Sequence, residues 1–340
     1  MAIRWGIIGL GDIAEHNFVP ALAHASNATL HSVYSRRADK GKAFITRHGG
    51  QRNFDSLGQM LADPELDAVY IASPNAIHAE QSIAASRAGK HVLCDKPMAL
   101  TEADGERMIR VAAENKVRLD VAYRQRYHPA HIAAREHVQS GVLGEMQLVK
   151  AQNFIGGARP YWANQPGWRN DPAIAGSGSI VAQAVHPVDL LRYLTGSEIV
   201  EVRCITDEAP TRAVEEATIS LFKFANGALG QVASGAVVPR SDNDVVLYGS
   251  TGKISCLGTL GRNVPSRPPE LLVESDNCAT LRDPFHHDTL VTRTTTLIEA
   301  FSRTITDGTP THISAENGLR MIRIANAMQE SSRSGKTIRV

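Results

Sequence analysis

Residues 3–14 read IRWGIIGLGDIA, and this stretch decides the fold class of the amino-terminal part of the chain. An apolar strand pattern ends at Gly9 and leads into an amphipathic helix pattern. In such a unit the first glycine, Gly9, makes the tight turn, and the second, Gly11, lets the backbone approach a pyrophosphate. The small residue Ala14 keeps the helix close to the sheet, while the helix N-terminus presents N–H groups to the anion. The residues predicted to hold a dinucleotide here are Gly9, Gly11, Asp12 and Ile13.

The end of the next predicted strand, residues 28–34, bears on the choice of dinucleotide. Sites that select NAD carry an acid about 20 residues after the glycines, whose carboxylate accepts a hydrogen bond from the ribose 2′-hydroxyl. Here the sequence reads Ser35-Arg36-Arg37 instead. Two guanidiniums and a hydroxyl favour a 2′-phosphate, so the pattern predicts NADP(H) as the preferred cofactor, with NAD(H) as the alternative. The plainer interpretation is that Arg36 and Arg37 are solvated residues at the start of the following helix.

Composition and charge narrow the classes of partner and compartment. The 340 residues carry 36 Lys and Arg against 35 Asp and Glu, a net charge of +1, without a basic stripe of interleaved aromatic residues. We therefore expect no nucleic-acid partner. The amino terminus shows no signal-peptide pattern, and no apolar run approaches the ~20 residues that span a bilayer, so we expect a cytoplasmic protein without membrane contact. The four cysteines are scattered, without the spacing of a metal site, and no metal is expected.

The pattern of predicted elements changes character once along the chain. Helix and strand patterns alternate over residues 1–122, for example a helix at 38–48 and a strand at 91–94. This alternation predicts a doubly wound parallel sheet, the Rossmann architecture. Residues 123–340 contain mostly strand-like runs, and Asn226-Gly227 between two of them indicates a hairpin. The sequence thus predicts an α/β fold, in which a dinucleotide-binding domain (1–122) is followed by an α+β domain (123–340) with a large, mostly antiparallel sheet.

The predicted sheet of the second domain also bears on assembly. Long antiparallel strands are covered by helices on one face, and the other face, if apolar, is covered by another subunit. We therefore expect a homodimer or homotetramer formed through that sheet.

Polar residues follow the predicted strands of the first domain, at the edge where ligands bind in open α/β sheets. Three loops stand out: Ser73-Pro74-Asn75 with His78, Asp95-Lys96-Pro97, and residues 123–126. A lysine directly after a buried strand places a point charge at the mouth of the sheet, and a cis peptide bond before Pro97 would aim Lys96 into the cleft. The alternative is an ordinary surface lysine at the end of a strand.

Four motifs occur in order and together resemble one enzyme family. They are the turn at 9–14, Ser73-Pro74-Asn75 with His78, the run AGKHVLCDKP at 88–97, and Arg126-Tyr127-His128-Pro129. This set resembles the glucose-fructose oxidoreductase, inositol dehydrogenase and rhizopine-catabolism (Gfo/Idh/MocA) family. The element Gly167-Trp168-Arg169 is similar to one in the 1,5-anhydro-D-fructose reductases of that family.

The resemblance implies a pyridine-nucleotide oxidoreductase that passes a hydride between the nicotinamide and a carbinol carbon of a sugar or cyclic polyol. Lys96 stands where the family has a lysine that polarises the substrate oxygen, and His186 where it has the proton donor or acceptor. Asp95 is expected near the nicotinamide ribose. The remaining residues expected to bind the cofactor are Ser73, Asn75, His78, Arg126, Trp168 and Arg169.

Two positions depart from the family pattern. Asp95 stands where a glutamate is usual, which shortens the carboxylate by one methylene. Ala182 stands four residues before His186, where the family has an aspartate that orients the histidine. Gln183 or Asp189 is the expected substitute for this carboxylate, although Asp189 has the alternative role of supporting its helix. The predicted substrate-binding residues are therefore Lys96, Gln183, His186 and Asp189.

Two further functions stay open at this point. One is a catalytically silent relative that binds the nucleotide and regulates a partner. The other is an oxidoreductase for a non-sugar substrate such as a dihydrodiol or a tetrapyrrole. The run His286-His287-Asp288 is interpreted as the start of a helix rather than as a metal site, because adjacent residues point to different faces and no third ligand is spaced to match.

Overall fold

A computed structural model describes residues 2–162, 164, 167–207, 212–261, 268–285 and 288–340. The chain forms two compact units: Met1–Tyr127 with Thr289–Ile322, and His128–Asp288 with Arg323–Val340. Each unit therefore contains a second, distant segment, whereas the sequence predicts two contiguous domains.

The first unit is built on a parallel sheet of six strands. Their order across the sheet is β3-β2-β1-β4-β5-β6, which is the doubly wound arrangement that the alternating pattern predicts. The chain reverses direction across the sheet between β1 and β4, and ligands bind beyond the carboxyl ends of the strands at such a point. The strands are β1 Ile3–Ile8, β2 Ala28–Tyr34, β3 Arg52–Phe54, β4 Ala68–Ile71, β5 His91–Cys94 and β6 Leu119–Val121.

Helices connect these strands, and their ends follow local capping signals. Helix α5 starts after Thr101, whose hydroxyl accepts a hydrogen bond from Asp104 N, an N-cap of the usual kind. The helices of this part of the chain are α1 Val19–His24, α2 Ala38–His48, α3 Leu57–Leu61, α4 His78–Arg87 and α5 Glu102–Glu114.

A late segment of the chain packs in the first unit. The helix Leu290–Asp307 presents the carboxylate of Glu299 to the N–H and hydroxyl of Ser26, at 2.9 and 2.7 Å. The ring of Phe301 lies 5.4 Å from that of Trp5 in β1. This packing explains why the compact units differ from the predicted domains, since the partners lie 273 residues apart in the sequence.

In the described part of the second unit, nine strands form one sheet. Their order is β14-β13-β12-β11-β7-β10-β9-β8-β15, and β7 and β10 are the parallel neighbours while the other pairs are antiparallel. Asn226 and Gly227 form the predicted hairpin turn, with φ +90° at the glycine. The strands are β7 Met146–Phe154, β8 Ile199–Thr206, β9 Ala217–Phe224, β10 Leu229–Gly235, β11 Val245–Gly249, β12 Gly252–Leu257, β13 Glu270–Ser275, β14 Cys278–Pro284 and β15 Ile338–Arg339.

One face of this sheet is covered by helices and the other is exposed. Helix α6 (Pro129–Gln139) packs on β12 and β13, and α8 (Val185–Thr195) packs on β7. Along β9, buried and exposed residues alternate, so the exposed ones point away from the helices. The remaining helices are α7 Pro172–Ala175, α9 Leu290–Asp307 and α10 Ala315–Ser334. No helix in the described ranges combines the length and apolarity needed to cross a bilayer.

Candidate functional site

The glycine turn after β1 has the geometry that a bound dinucleotide requires. Gly9 has φ +96°, and a Cβ there would lie 2.6 Å from Ser73 N and 2.7 Å from Ala72 C, so only glycine fits. Around Gly11, by contrast, a Cβ would meet no described atom within 4 Å. Ala14 is fully buried where the helix meets the sheet. The open backbone at Gly11 and the close packing at Gly9 fit the approach of a pyrophosphate.

The residues predicted to select the 2′-phosphate lie on the surface at the end of β2. Ser35 is half-buried and its hydroxyl accepts a hydrogen bond from Arg37 N at 3.3 Å. Arg36 and Arg37 are exposed, as are the turn residues Gly11 and Asp12. Both guanidiniums are therefore accessible to an anion, and their selectivity stays a prediction.

The loop after β5 holds Lys96 in a defined backbone conformation. The Lys96–Pro97 peptide bond is cis. Lys96 N donates to Asp95 Oδ1 at 2.8 Å. The buried His78 ring lies between two carbonyl oxygens, with Nδ1 2.8 Å from Pro97 O and Nε2 2.8 Å from Ser73 O. His78 thus joins the lysine loop to the loop after β4 through both of its ring nitrogens, and its contact with a cofactor stays a prediction.

Asp95 lies in a buried hydrogen-bond network at the carboxyl edge of the sheet. Its Oδ2 accepts from the Tyr70 hydroxyl at 3.0 Å, and its Oδ1 accepts from Arg124 Nη2 at 3.1 Å. Burial opposes ionisation of Asp95, but the Arg124 and Lys96 charges and the Lys96 N–H outweigh burial and lower the pKa of its carboxyl. Burial and the Asp95 charge raise the pKa of Tyr70 well above its ordinary value. Asp95 is therefore an ionised carboxylate with protein donors on both oxygens.

Arg124 extends this network to the helix that follows the glycine turn. Its Nη1 donates to Asn17 Oδ1 at 3.1 Å, and the Thr294 hydroxyl donates to the same oxygen at 3.0 Å. Asn17 lies in a π-helical turn, Ala14–Phe18, and its Nδ2 donates to Leu290 O at 3.0 Å. Tyr70, Asn17 and Arg124 are not among the site residues predicted from the sequence, and the position of Arg124 after β6 is the one sequence signal that points to any of them.

The other predicted cofactor residues of the first unit lie near this edge in different environments. Asn75 is buried at the start of a short 3-10 turn, and the Ser73 hydroxyl donates to Gln81 Oε1 at 2.5 Å. Arg126 is buried and its Nη1 donates to His312 O at 2.8 Å. Ile13 is half-buried at the start of its helix. Their contacts with a cofactor stay predictions.

In the second unit, a π-helical turn, Ile180–Ala184, precedes α8 and displays the predicted substrate residues. Ala182, Gln183 and His186 are partly exposed, whereas the intervening Ala184 and Val185 are buried. The three residues therefore share the accessible face of the helix. π-Helical turns of this kind occur often at functional sites.

The neighbours of these residues bear on the prediction that Gln183 or Asp189 substitutes for the aspartate expected at position 182. Asn153 Nδ2 donates to Gln183 O at 3.0 Å and lies 3.5 Å from Gln183 Oε1. Asp189 is fully buried, 3.7 Å from Arg192 Nη1, which favours the helix-supporting role over substrate binding. Ala182 packs against an apolar cluster of Ile155, Trp162, Val214 and Ala236, with Tyr161 and Val237.

Comparisons with known proteins decide the family. A family model described as an oxidoreductase family with an NAD-binding Rossmann fold matches residues 3–123, and the GFO/IDH/MocA C-terminal domain model matches residues 131–255. The chain belongs to the Gfo/Idh/MocA family. As a member, it is an NAD(P)-dependent oxidoreductase.

Relatives of this Gfo/Idh/MocA protein act on sugars and polyols. It is 31% identical to the 1,5-anhydro-D-fructose reductase of Ensifer adhaerens over 268 residues, and this match covers 78% of each chain. It is 27% identical to the myo-inositol 2-dehydrogenase of Thermotoga maritima, over 74% of each chain. A variant 3-ketoreductase from Actinomadura kijaniata, solved with TDP-benzene and NADP, superposes with a TM-score of 0.82 at 26% identity, over 97% of this chain and 98% of that one.

Two further groups of residues were predicted in this family member, Trp168 with Arg169 and His286 with His287. Trp168 and Arg169 form a partly exposed 3-10 turn, in which the Arg169 guanidinium lies 4.9 Å from the Trp168 ring centroid. The two side chains therefore form a cation–π pair. His286 and His287 lie outside the described residues.

Proposed function

We propose that the protein is an NADP(H)-dependent oxidoreductase that transfers a hydride between the nicotinamide and a carbinol or carbonyl carbon of a sugar or cyclic polyol. The observation that carries this proposal is the fixed position of Lys96. Its loop follows β5 at the carboxyl edge of the parallel sheet, and its N–H is held by the buried Asp95. The similarity to a 1,5-anhydro-D-fructose reductase and a myo-inositol 2-dehydrogenase supports the substrate class.

The cofactor-binding residues of the first unit suit NADP(H). The backbone at Gly9 and Gly11 would receive the pyrophosphate, and Arg36 and Arg37 would pair with the 2′-phosphate. The bound nicotinamide would supply or accept the hydride. A relative that was solved with NADP supports this choice, and NAD(H) is the alternative.

The chain's own residues would then manage the charge and proton at the substrate oxygen. The Lys96 ammonium would stabilise an oxygen on which negative charge develops, because a fixed cation lowers the energy of an alkoxide. The His186 imidazole would donate or accept the proton, which is the role of a general acid–base residue. Gln183, with its amide beside Asn153, would hydrogen-bond a substrate hydroxyl.

Exposed apolar side chains on the open sheet face of the second unit support assembly of subunits through that face. Its large apolar residues Ile205, Ile219, Leu221 and Leu229 are each more than half exposed. Ile205 and Ile219 are paired across neighbouring strands, and Leu221 lies two residues further along β9, on the same face as Ile219. A second copy of the chain would cover this face, which gives a homodimer or homotetramer.

The test of the proposed function is turnover of NADPH and NADP across a panel of sugars, osones and inositols. Lys96→Ala and His186→Ala should each lower kcat by ~10²–10⁴ with nucleotide affinity nearly unchanged, because acid–base groups act in the transition state. Lys336→Ala, at an exposed lysine near the carboxyl terminus, is the matched control and should keep full activity.

Unchanged turnover in Lys96→Ala would contradict the catalytic proposal. The second candidate, a catalytically silent regulator that binds the nucleotide, would then gain support. The apolar packing of Ala182, at the position where the resemblance implies an aspartate, is the observation that favours this candidate. It predicts nucleotide binding without turnover of any substrate in the panel.

A further inference from the structure

Glu215 makes an unusual set of contacts at the start of the helix that carries His186. Its Oε2 accepts from Gly178 N at 3.0 Å and its Oε1 accepts from Ile180 N at 2.8 Å. Its main-chain oxygen accepts from the intervening Ser179 N at 2.9 Å. One residue, two positions before β9, therefore takes three successive N–H groups where the π-helical turn begins.

The chain at residue 178 is shaped to allow this close approach. A Cβ at Gly178 would overlap the carbonyl oxygen of Glu215, so the position needs glycine. The Ser179 hydroxyl donates to Ser234 O in β10 at 3.1 Å, which ties the same segment to the neighbouring strand. The start of the helix is thus attached to the sheet through side-chain and main-chain bonds.

Electrostatics favour a carboxylate at this place. The first N–H groups of a helix have no partner within the helix and carry the positive end of its dipole. Glu215 meets that end with two oxygens, and neither alanine nor glutamine reproduces this, because a glutamine side chain has one acceptor oxygen and would direct its NH₂ at the other N–H. Burial raises the pKa of the Glu215 carboxyl, while the N–H groups of Ile180 and Gly178 oppose that rise.

The position of this helix start determines where Gln183 and His186 project. Gln183 lies three residues after Ile180, in the π-helical turn, and His186 lies in the first turn of α8. A shift of the helix along its axis would move both side chains together, and displacement of a catalytic group by about 1 Å costs up to ~10²-fold in rate.

We infer that Glu215 is a positioning residue, which sets the place of His186 and Gln183 by holding the N–H groups of residues 178–180. This inference rests on the proposed function, because it assumes that His186 acts on the substrate. Glu215 itself touches no reacting atom in this assignment.

Kinetics of Glu215→Gln and Glu215→Asp test the inference in the full-length protein. Glu215→Gln should lower kcat/KM for the best substrate of the panel by ~10–100-fold, with NADPH affinity within about twofold of wild type. Glu215→Asp keeps the charge but shortens the side chain, so its kcat/KM should lie between those of Glu215→Gln and wild type. Glu274→Gln, at a half-exposed glutamate in β13, is the control and should match wild type.

Hydrogen exchange supplies a readout that does not depend on activity. In Glu215→Gln, the N–H groups of residues 178–180 should exchange at least tenfold faster, while those of residues 190–195 at the far end of α8 should keep their protection. Gly178→Ala disturbs the contact between residue 178 and Glu215 from the other side. It should also speed exchange at residues 178–180 and leave the protection of residues 190–195 unchanged.

The outcomes separate this inference from the proposed function. If wild-type protein turns over no substrate, the proposed function fails, and the exchange result still decides whether Glu215 holds the helix start. If wild type is active and Glu215→Gln retains its kcat/KM, the positioning role is overturned. Faster exchange throughout the second unit, with kcat per folded molecule unchanged, would make Glu215 a purely structural residue and would also overturn it.

Discussion

Replacement of Arg124 by methionine tests whether the buried network beneath the lysine loop has the energetics that its geometry implies. Arg124→Met removes the guanidinium that donates to Asp95 Oδ1 and leaves that carboxylate with the Tyr70 hydroxyl and the Lys96 N–H as donors. Loss of one partner of a buried ion pair costs about 3–5 kcal/mol, because the remaining charge is uncompensated. Asn17 also loses a donor, which adds roughly 1 kcal/mol.

The pH dependence of this loss has a definite sign. In the wild type the pKa of Asp95 is lowered, so the stability it contributes is present above its unfolded pKa and is lost as pH falls through the folded value. Without Arg124, burial dominates and the pKa of Asp95 rises above the unfolded value. The variant then loses stability as pH rises between those two values. The difference between wild type and Arg124→Met should therefore be larger at pH 7.5 than at pH 4.5.

Urea unfolding followed by circular dichroism at both pH values measures these free energies. The double variant Arg124→Met/Asp95→Asn should recover ~2 kcal/mol or more relative to Arg124→Met, since the buried charge is gone. Arg107→Met is the matched control: this arginine of α5 is 44% exposed with a 3.5 Å ion pair to Asp104, and its loss should cost under ~0.5 kcal/mol. A loss equal to the control, or one that does not change with pH, would refute the reasoning.

Three further predictions concern the cofactor, a buried acid and assembly. Wild type should bind NADP(H) more tightly than NAD(H) by a few kcal/mol in titration calorimetry, because about two charge-assisted hydrogen bonds of ~1.5–3 kcal/mol each hold the 2′-phosphate. Arg36→Ala/Arg37→Ala should lose this preference, and equal affinities of wild type for the two nucleotides would contradict the prediction. Burial raises the pKa of Asp120 from 3.8 to about 7, so wild type should lose ~4 kcal/mol of stability as pH rises over that range. Asp120→Asn should lack this fall in urea unfolding, so its stability relative to wild type should be ~4 kcal/mol higher at about pH 8 than at about pH 3; parallel pH profiles would oppose this. Ile219→Asp/Leu221→Asp should convert a dimer or tetramer to a monomer in light scattering, and a wild-type monomer at micromolar concentration would rule the interface out.

Local signals in the sequence predicted much of the fold. The helix at 38–48 and the strand at 91–94 were predicted with the ends that the structure shows, because hydrophobic periodicity and helix-ending glycines are local. The parallel pairing of β7 with β10 carries no such signal, since the two strands are distant in sequence. The packing of the Leu290–Asp307 helix in the first unit likewise has no local signal in the sequence.

The residues of the candidate site also divide into those with a local signal in the sequence and those without one. Gly9 and Lys96 belong to short motifs whose chemistry is readable in a few residues, and the structure shows why Gly9 must be glycine. Arg124 and Glu215 act through partners that lie far from them in sequence, and a single sequence contains no record of that contact. Both π-helical turns were also missed, because the hydrophobic pattern of a helix hardly changes when one turn widens.

Ala182 shows how the neighbours of a substituted residue decide its meaning. From the sequence, the missing aspartate had two candidate replacements, and spacing along the helix favoured neither. In the structure Asp189 is fully buried near Arg192, whereas Gln183 shares the accessible face with His186 and lies beside Asn153. Because Ala182 packs against apolar side chains, a carboxylate at 182 would be partly desolvated there. We therefore expect that a neutral amide, which does not change charge with pH, serves the proposed recognition of substrate hydroxyls in this protein.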